Sequence, residues 1–264
     1  MTAILELREV SKHFGGLAAV DKVGFGVEQG EIMGVIGPNG AGKTTLLSCI
    51  SRLHPLTGGQ IFFNEKRIDT LKPHQIAKLG IGRTFQIVKP FTGMTVKENV
   101  AVGALYGRAG HSGSVPEAVA QADEVLERVG LAHRADYPTD EITIPDRKRL
   151  ELARALAMDP ALLLLDEVMA GLNPHETDEM MDVIREINKG GTTIMVIEHV
   201  MRAIMGISHR IAVMHHGKLI ALGPPKEIAD DDRVIEAYLG ERFAQAKRAR
   251  QVAGQAAANK PAAE

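Results

Sequence analysis

The sequence predicts an α/β fold in which a mostly parallel sheet is covered by helices on both faces. Three observations predict it. Apolar runs of strand length recur along the chain, helical patterns lie between them, and the runs end on glycine, acidic residues or histidine. The strands are read at "EIMGVIG" (Glu31–Gly37), "ALLLLDE" (Ala161–Glu167) and "TTIMVIEH" (Thr192–His199). "RIAVMHHGKLIALG" (Arg210–Gly223) reads as a hairpin turning near Gly217. One helical pattern runs from Pro116 to Val129, with Ala118, Ala122, Val125, Leu126 and Val129 on one face. Another follows Asn173-Pro174-His175-Glu176, an N-cap, a first-turn proline and an acidic third position, and buries Met180, Ile184 and Ile187. The stretch from about Phe91 to Ala157 is mainly helical and is expected as a separate lobe. From about Arg242 onward the pattern collapses into Ala, Gln, Lys and Arg, so residues 241–264 read as a disordered tail after a domain spanning 1–240.

A chain of 264 residues buries one substantial core with room for a smaller lobe. Its formal net charge is -2, which argues against nucleic-acid binding through bulk positive charge. Cys49 is the single cysteine, so no internal disulfide forms and a reducing compartment is expected. The opening "MTAILELREV" has neither a basic leader nor an apolar run of signal length. The apolar run Ala161–Leu165 is far short of the roughly 20 residues that span a bilayer. Work at a membrane would require a partner.

The most specific signal is "GPNGAGKT", which fits G-x-x-x-x-G-K-[ST]. Gly37, Pro38, Asn39, Gly40, Ala41, Gly42, Lys43 and Thr44 follow a strand. Thr45 and the apolar helical segment Leu46, Leu47 and Ile50 come next. Glycines let successive backbone N–H groups curl around phosphate oxygens. Lys43 supplies a cation to the β- and γ-phosphates of ATP, and Thr44 a hydroxyl to Mg²⁺. A carboxylate should close a neighbouring buried strand, and "LLLLDE" provides it. Asp166 is placed to hold Mg²⁺ through water and Glu167 to polarise an attacking water.

With these motifs the chain resembles the ATP-binding subunits of ABC transporters over Leu5 to Tyr238. The resemblance implies a P-loop NTPase (RecA-like) core with an antiparallel β subdomain and a helical lobe. It implies that Phe14 in "HFGG" stacks on adenine, although an aromatic there also suits a core. Gln86 in "RTFQ" matches the glutamine that senses Mg²⁺ and the membrane partner. "AGLNP" (Ala170–Pro174) matches the loop that communicates across the dimer, and His199 in "VIEH" the switch histidine on the γ-phosphate. "FGGLAAVDKV", "PHQIAKLGIGRTFQ", "MTVKENV" and "AGLNPHET" look like the ATPases of branched-chain amino-acid importers, whose relatives also serve urea and aromatic acids. The implied partners are transmembrane permease subunits, a second and different ABC ATPase and, indirectly, a solute-binding protein. No nucleic acid is implied. The implied location is the cytoplasmic face of the membrane, through the permease.

One stretch departs from the family. In "EITIPDRKRLELARAL" (Glu141–Leu156) the apolar stripe Leu150, Ala153, Leu156 and Ala157 predicts a helix over Arg147–Ala157. Family members open this helix with an L-S-x-G-Q-type signature that binds the γ-phosphate on the opposite subunit. Here Thr143 stands in the serine place, Pro145 in the glycine place and Asp146 in the glutamine place. Pro145 has no N–H to give. Asp146 sets a negative charge where an anion should dock, a repulsion of roughly 3 kcal/mol at about 5 Å and an effective dielectric near 20. Thr143-x-x-Asp146 also reads as a capping-box-like start, structurally sound and degenerate as a signature. Two functions follow: an ATPase that powers an importer, or an ATP-binding regulatory subunit with little hydrolysis.

Overall fold

The computed structural model describes residues 3–86, 89–108 and 113–239. The tail read from the sequence and the residues Ile87 and Val88 lie outside the described residues. Strands β1 (Ala3–Phe14), β2 (Leu17–Glu28), β4 (Gly58–Phe63) and β5 (Lys66–Arg67) form an antiparallel sheet in the order β2-β1-β4-β5. The second sheet contains β3 (Ile32–Ile36), β6 (Ile81–Arg83), β7 (Leu162–Asp166), β8 (Thr193–Ile197), β9 (Arg210–His215) and β10 (Lys218–Gly223). Its order is β10-β9-β3-β8-β7-β6, with β9, β3, β8, β7 and β6 parallel and β10 antiparallel at the edge. The β9–β10 hairpin turns on His216 (φ 47°) and Gly217 (φ 78°), the left-handed pair that a two-residue hairpin demands.

The central strands β3, β7 and β8 are buried at every position because both faces are covered, and their polar side chains, Asp166 and Thr193, stand at strand ends. Ile32, Ile36, Leu163, Leu165, Ile194 and Val196 enter one buried cluster. Their neighbours Met33, Val35, Leu162, Leu164, Met195 and Ile197 enter the other. Alternate side chains of a strand point to opposite faces, so each strand feeds both clusters. The second cluster also holds Leu46, Leu47 and Ile50 of α1 (Lys43–Ile50), together with Leu5, Val10 and Val20 of the antiparallel sheet. Helix α1 is thereby wedged between the sheets. Each fully buried Leu or Ile contributes about 1.5–3 kcal/mol relative to exposure.

After β5 come α2 (Pro73–Lys78), then α3 (Val96–Tyr106), α4 (Val115–Arg128), a 3-10 turn at Ala132–Arg134, and α5 (Ile144–Leu156). Residues 109–112, in this helical stretch, are not described. The buried faces of α3, α4 and α5 belong to the same cluster as one face of the large sheet. On that cluster also pack α6 (Pro174–Lys189) and α7 (Met201–Ile207); α8 (Pro225–Asp230) and α9 (Asp232–Leu239) close the described chain. Helix α6 opens with the capping box read from the sequence: Glu176 N donates to Asn173 Oδ1 (3.0 Å) and Asn173 N to Glu176 Oε2 (2.8 Å).

Helix α5 begins three residues earlier than the apolar stripe indicates. Thr143 caps it, its Oγ1 accepting from Asp146 N at 3.3 Å, and Pro145 sits in the first turn, where a missing N–H costs nothing. The box is only half made. The Asp146 carboxylate turns to Arg134, with Oδ2 3.6 Å from its Nε, and is 14% exposed. The negative charge read at the helix tip is there, and the structure adds its ion-pair partner. Arg134, in the preceding 3-10 turn, supplies a counter-ion.

Candidate functional site

The phosphate-loop segment joins the end of β3 to the start of α1, and its glycines are sterically required. A Cβ on Gly37 (φ 152°) would lie 2.1 Å from Met214 O, and one on Gly42 (φ 97°) 2.1 Å from Ala19 O. Only glycine fits where the loop passes this close to β9 and to the neighbouring strand β2. Lys43 is buried, and its Nζ donates to Gly37 O (2.7 Å) and Pro38 O (3.1 Å), so the loop closes around the cation. Burial pushes the Lys43 ammonium below the usual lysine range, opposed by the charges of Glu167 and Asp166.

Asp166, the last residue of β7, is fully buried. Its Oδ1 accepts from Thr44 Oγ1 at 3.3 Å, which brings together two residues 122 positions apart. Its Oδ2 pairs with Arg83 at 3.1 Å. Arg83 was not singled out by the sequence, although it sits in the quoted "RTFQ". It also donates to Ser48 Oγ (3.1 Å) and Ser51 Oγ (2.9 Å), tying the end of β6 to α1. Burial raises the Asp166 carboxyl and lowers the Arg83 guanidinium, their mutual attraction opposing both. A strand end followed by arginine was the available signal, and it is too common to select.

Glu167 adopts φ 54°, a left-handed conformation unusual for a residue with a side chain. That turn aims its carboxylate at two residues from other elements. Oε1 lies 2.6 Å from His199 Nε2, and Oε2 accepts from Gln86 Nε2 at 2.8 Å. An ionised carboxylate only accepts, so the His199 ring carries its proton on Nε2. Three residues read separately from the sequence therefore meet. The turn is held from outside as well: Glu167 N donates to Ile197 O (3.0 Å), and Lys148 Nζ of α5 donates to Glu167 O (3.0 Å).

A cavity of about 1040 Å³ opens over this cluster. Asn39 to Thr45, Gln86, Glu167, His199 and Phe14 all line it. Gly37, Pro38 and Asp166 are not among its lining residues. Phe14 is 44% exposed, with its ring edge-on to His54 at 5.3 Å and Lys12 Nζ 4.8 Å from its centroid. It is a rim residue, and the core alternative for it falls. His216, which the sequence reading passed over, also lines the cavity from the β9–β10 turn. Gly217 N donates to Ala41 O (3.1 Å) and thereby pins that turn to the loop.

Comparison with known proteins agrees with this geometry. A family model described as "ABC transporter" matches residues 20–170, more than half of the chain. The chain belongs to this family. It is an ATP-binding cassette, a nucleotide-binding ATPase of the kind coupled to transport. A second model, "Branched-chain amino acid ATP-binding cassette transporter", matches residues 218–244. The cassette is 41% identical to the high-affinity branched-chain amino acid transport ATP-binding protein LivG of Salmonella typhimurium, over 90% of this chain and 98% of the relative. It is similar in structure to a nucleotide-free ATP-binding cassette from an ABC transporter, with a TM-score of 0.83 and 31% identity. That match covers 91% of this chain and 100% of the other. An ATP-binding cassette in its ADP conformation matches with a TM-score of 0.81 and 30% identity, over the same shares. Among the described residues, no helix of the cassette is long and apolar enough to cross a membrane.

Next to His199, Glu198 is 1% exposed. Oε1 accepts from Met169 N at 2.7 Å, while Oε2 has no partner. Burial pushes its carboxyl up to about 7 against the pull of the Met169 and His199 backbone N–H groups, and the Glu167 charge adds to the rise. The folded state therefore holds this proton more tightly than the unfolded chain. No cost arises below pH about 4.5, where both states are protonated. The cost of ionisation grows as pH rises and is complete above about 7, reaching about 3 kcal/mol. Glu198→Gln should thus gain stability relative to the parent between pH 5 and pH 8, by about 2–3 kcal/mol in urea unfolding. An equal difference at both pH values would show that Glu198 does not titrate in this window.

Proposed function

We propose that this cassette hydrolyses ATP to power an importer for branched-chain or related amino acids, as one half of an unequal pair with a second ABC ATPase. The observation that carries the hydrolytic reading is the Glu167 carboxylate, held by His199 and Gln86 in the lining of the phosphate-loop cavity. The loop N–H groups and Lys43 bind the β- and γ-phosphates. Glu167 accepts a proton from the attacking water while His199 holds it in place. Phe14, which also lines the cavity, offers a ring face to adenine. The oxygens of Thr44, Asp166 and Gln86 are hard donors that suit Mg²⁺. When bound, Mg²⁺ supplies neutralising charge between the phosphate oxygens.

The cargo reading rests on the relatives, which include branched-chain amino acid transport proteins matched nearly end to end. In this reading the cassette sits on the cytoplasmic face of the membrane against permease subunits, and a solute-binding protein delivers cargo to that permease. Phe85 and Phe91, 46% and 43% exposed, flank Gln86 and offer an apolar surface to a short permease helix. The division into a domain over residues 1–240, with a helical lobe at about 91–157, belongs to the same proposal.

The unequal pair follows from the tip of α5. Pro145 has no N–H, the Asp146 N–H is taken by Thr143 Oγ1, and the Asp146 carboxylate sits at the same tip. A nucleotide on the partner's phosphate loop would meet the Thr143 hydroxyl but no free backbone N–H from Pro145 or Asp146. The nucleotide on Lys43 would meet the partner's signature instead, and that site turns over. In the assembled transporter, Glu167→Gln should lower ATP turnover about a hundredfold or more while ATP still binds. The matching substitution in the partner should cost less than about threefold. Equal losses would show that the Thr143–Asp146 tip supports catalysis. Separately, Phe91→Asp should release the cassette from its permease in a pull-down and leave ATP affinity within about twofold. Loss of ATP binding first would place Phe91 in the structural core.

A further inference from the structure

Helix α5 is well capped and well packed although its tip has lost the groups that read phosphate, so its polar residues call for another explanation. Lys148, Glu151 and Arg154 are spaced three apart and lie along one flank of the helix. Each reaches a backbone group in one of two segments, the Glu167 turn or the loop that carries Gln86. Lys148 Nζ donates to Glu167 O at 3.0 Å, on the turn that aims the carboxylate. Glu151 Oε1 accepts from Phe85 N at 3.2 Å, immediately before Gln86. Arg154 donates to Lys89 O at 3.0 Å, and its guanidinium lies 4.6 Å from the Phe91 ring centroid. Glu151 and Arg154 also pair with each other at 3.2 Å, which sets both at fixed positions on the helix. The neighbouring Arg149 turns away, to Val129 O and Glu179.

We propose that the Lys148–Glu151–Arg154 flank of α5 is a rigid linkage between the Glu167 turn and both ends of the loop that carries Gln86 and Phe91. A displacement of that loop by a bound membrane partner would move α5, and Lys148 would carry the movement to the carbonyl of Glu167. The three residues are positioning residues, since none of them lines the phosphate-loop cavity. A shorter route also exists, the direct Gln86–Glu167 hydrogen bond of 2.8 Å, and the two routes make opposite predictions. The linkage rests on the roles proposed above for Glu167 and for the permease-facing loop, but it is measurable in the cassette alone.

The test is hydrogen exchange of the full chain, with and without saturating AMP-PNP and Mg²⁺, followed at the amides of Phe85, Gln86 and Phe91. In the parent, nucleotide should slow exchange at these amides at least fivefold. Lys148→Met, which touches nothing in the loop, should abolish that protection, and Lys148→Arg, which keeps the donor, should restore most of it. Gln86→Ala should retain protection at Phe85 and Phe91. Protection kept in Lys148→Met, lost in Gln86→Ala, or absent from the parent would overturn the linkage. A cassette that shows the expected pattern yet never associates with a permease would refute the importer reading and leave the linkage standing.

Discussion

Burial of β3, β7 and β8 on both faces is the constraint on which the rest of this molecule depends. Alternate residues of these strands enter two separate apolar clusters, so their length leaves no position for an unpaired polar side chain. Polar chemistry is admitted only where the strands end. Because the strands are parallel, those ends lie on one edge of the sheet. The phosphate loop leaves β3 there, Asp166 and Glu167 close β7, and Glu198 and His199 follow β8. The clustering of these residues is therefore a consequence of strand direction as much as of residue choice. Asp166 is drawn fully inside, and it is tolerated because Arg83 and Thr44 meet its two oxygens.

A second constraint acts at the tip of α5, where helix formation and anion binding compete for the same backbone donor. The first N–H groups of a helix have no internal acceptor and must be given one. In this chain Thr143 takes the Asp146 N–H, Pro145 removes another, and Arg134 neutralises the carboxylate that remains. The helix start is satisfied from within the subunit. The helix keeps its cap, and neither Pro145 nor Asp146 leaves a free backbone N–H at the tip.

Much of the site was legible because its signals are local. The phosphate loop, the acidic end of "LLLLDE" and the histidine of "VIEH" each occupy consecutive positions whose spacing has a direct physical reading. Arg83 and Lys148 were not legible. Both act on residues far away in the chain, and an arginine after a strand or a lysine on a helix has no distinguishing local pattern. The partner of Asp146 was not legible for a related reason. Its counter-ion lies in a separate turn, and sequence spacing does not reveal which way a short carboxylate leans. His216 escaped because hairpin-turn residues are ordinarily exposed, whereas here Gly217 is pinned to Ala41 beside the cavity.

The sequence by itself determined the α/β class, the parallel strand ends, the glycine loop with Lys43, and the loss of the N–H at Pro145, since each follows from backbone chemistry or from periodicity within one segment. Only the tertiary structure decided how these parts act on one another. It brought His199 and Gln86 to the two oxygens of Glu167, set Arg83 on Asp166, turned Asp146 toward Arg134, and laid one flank of α5 across two separate functional segments. The physical reason is that a hydrogen bond of about 3 Å depends on where two backbones are carried by the packing of the core, and no local pattern encodes that placement.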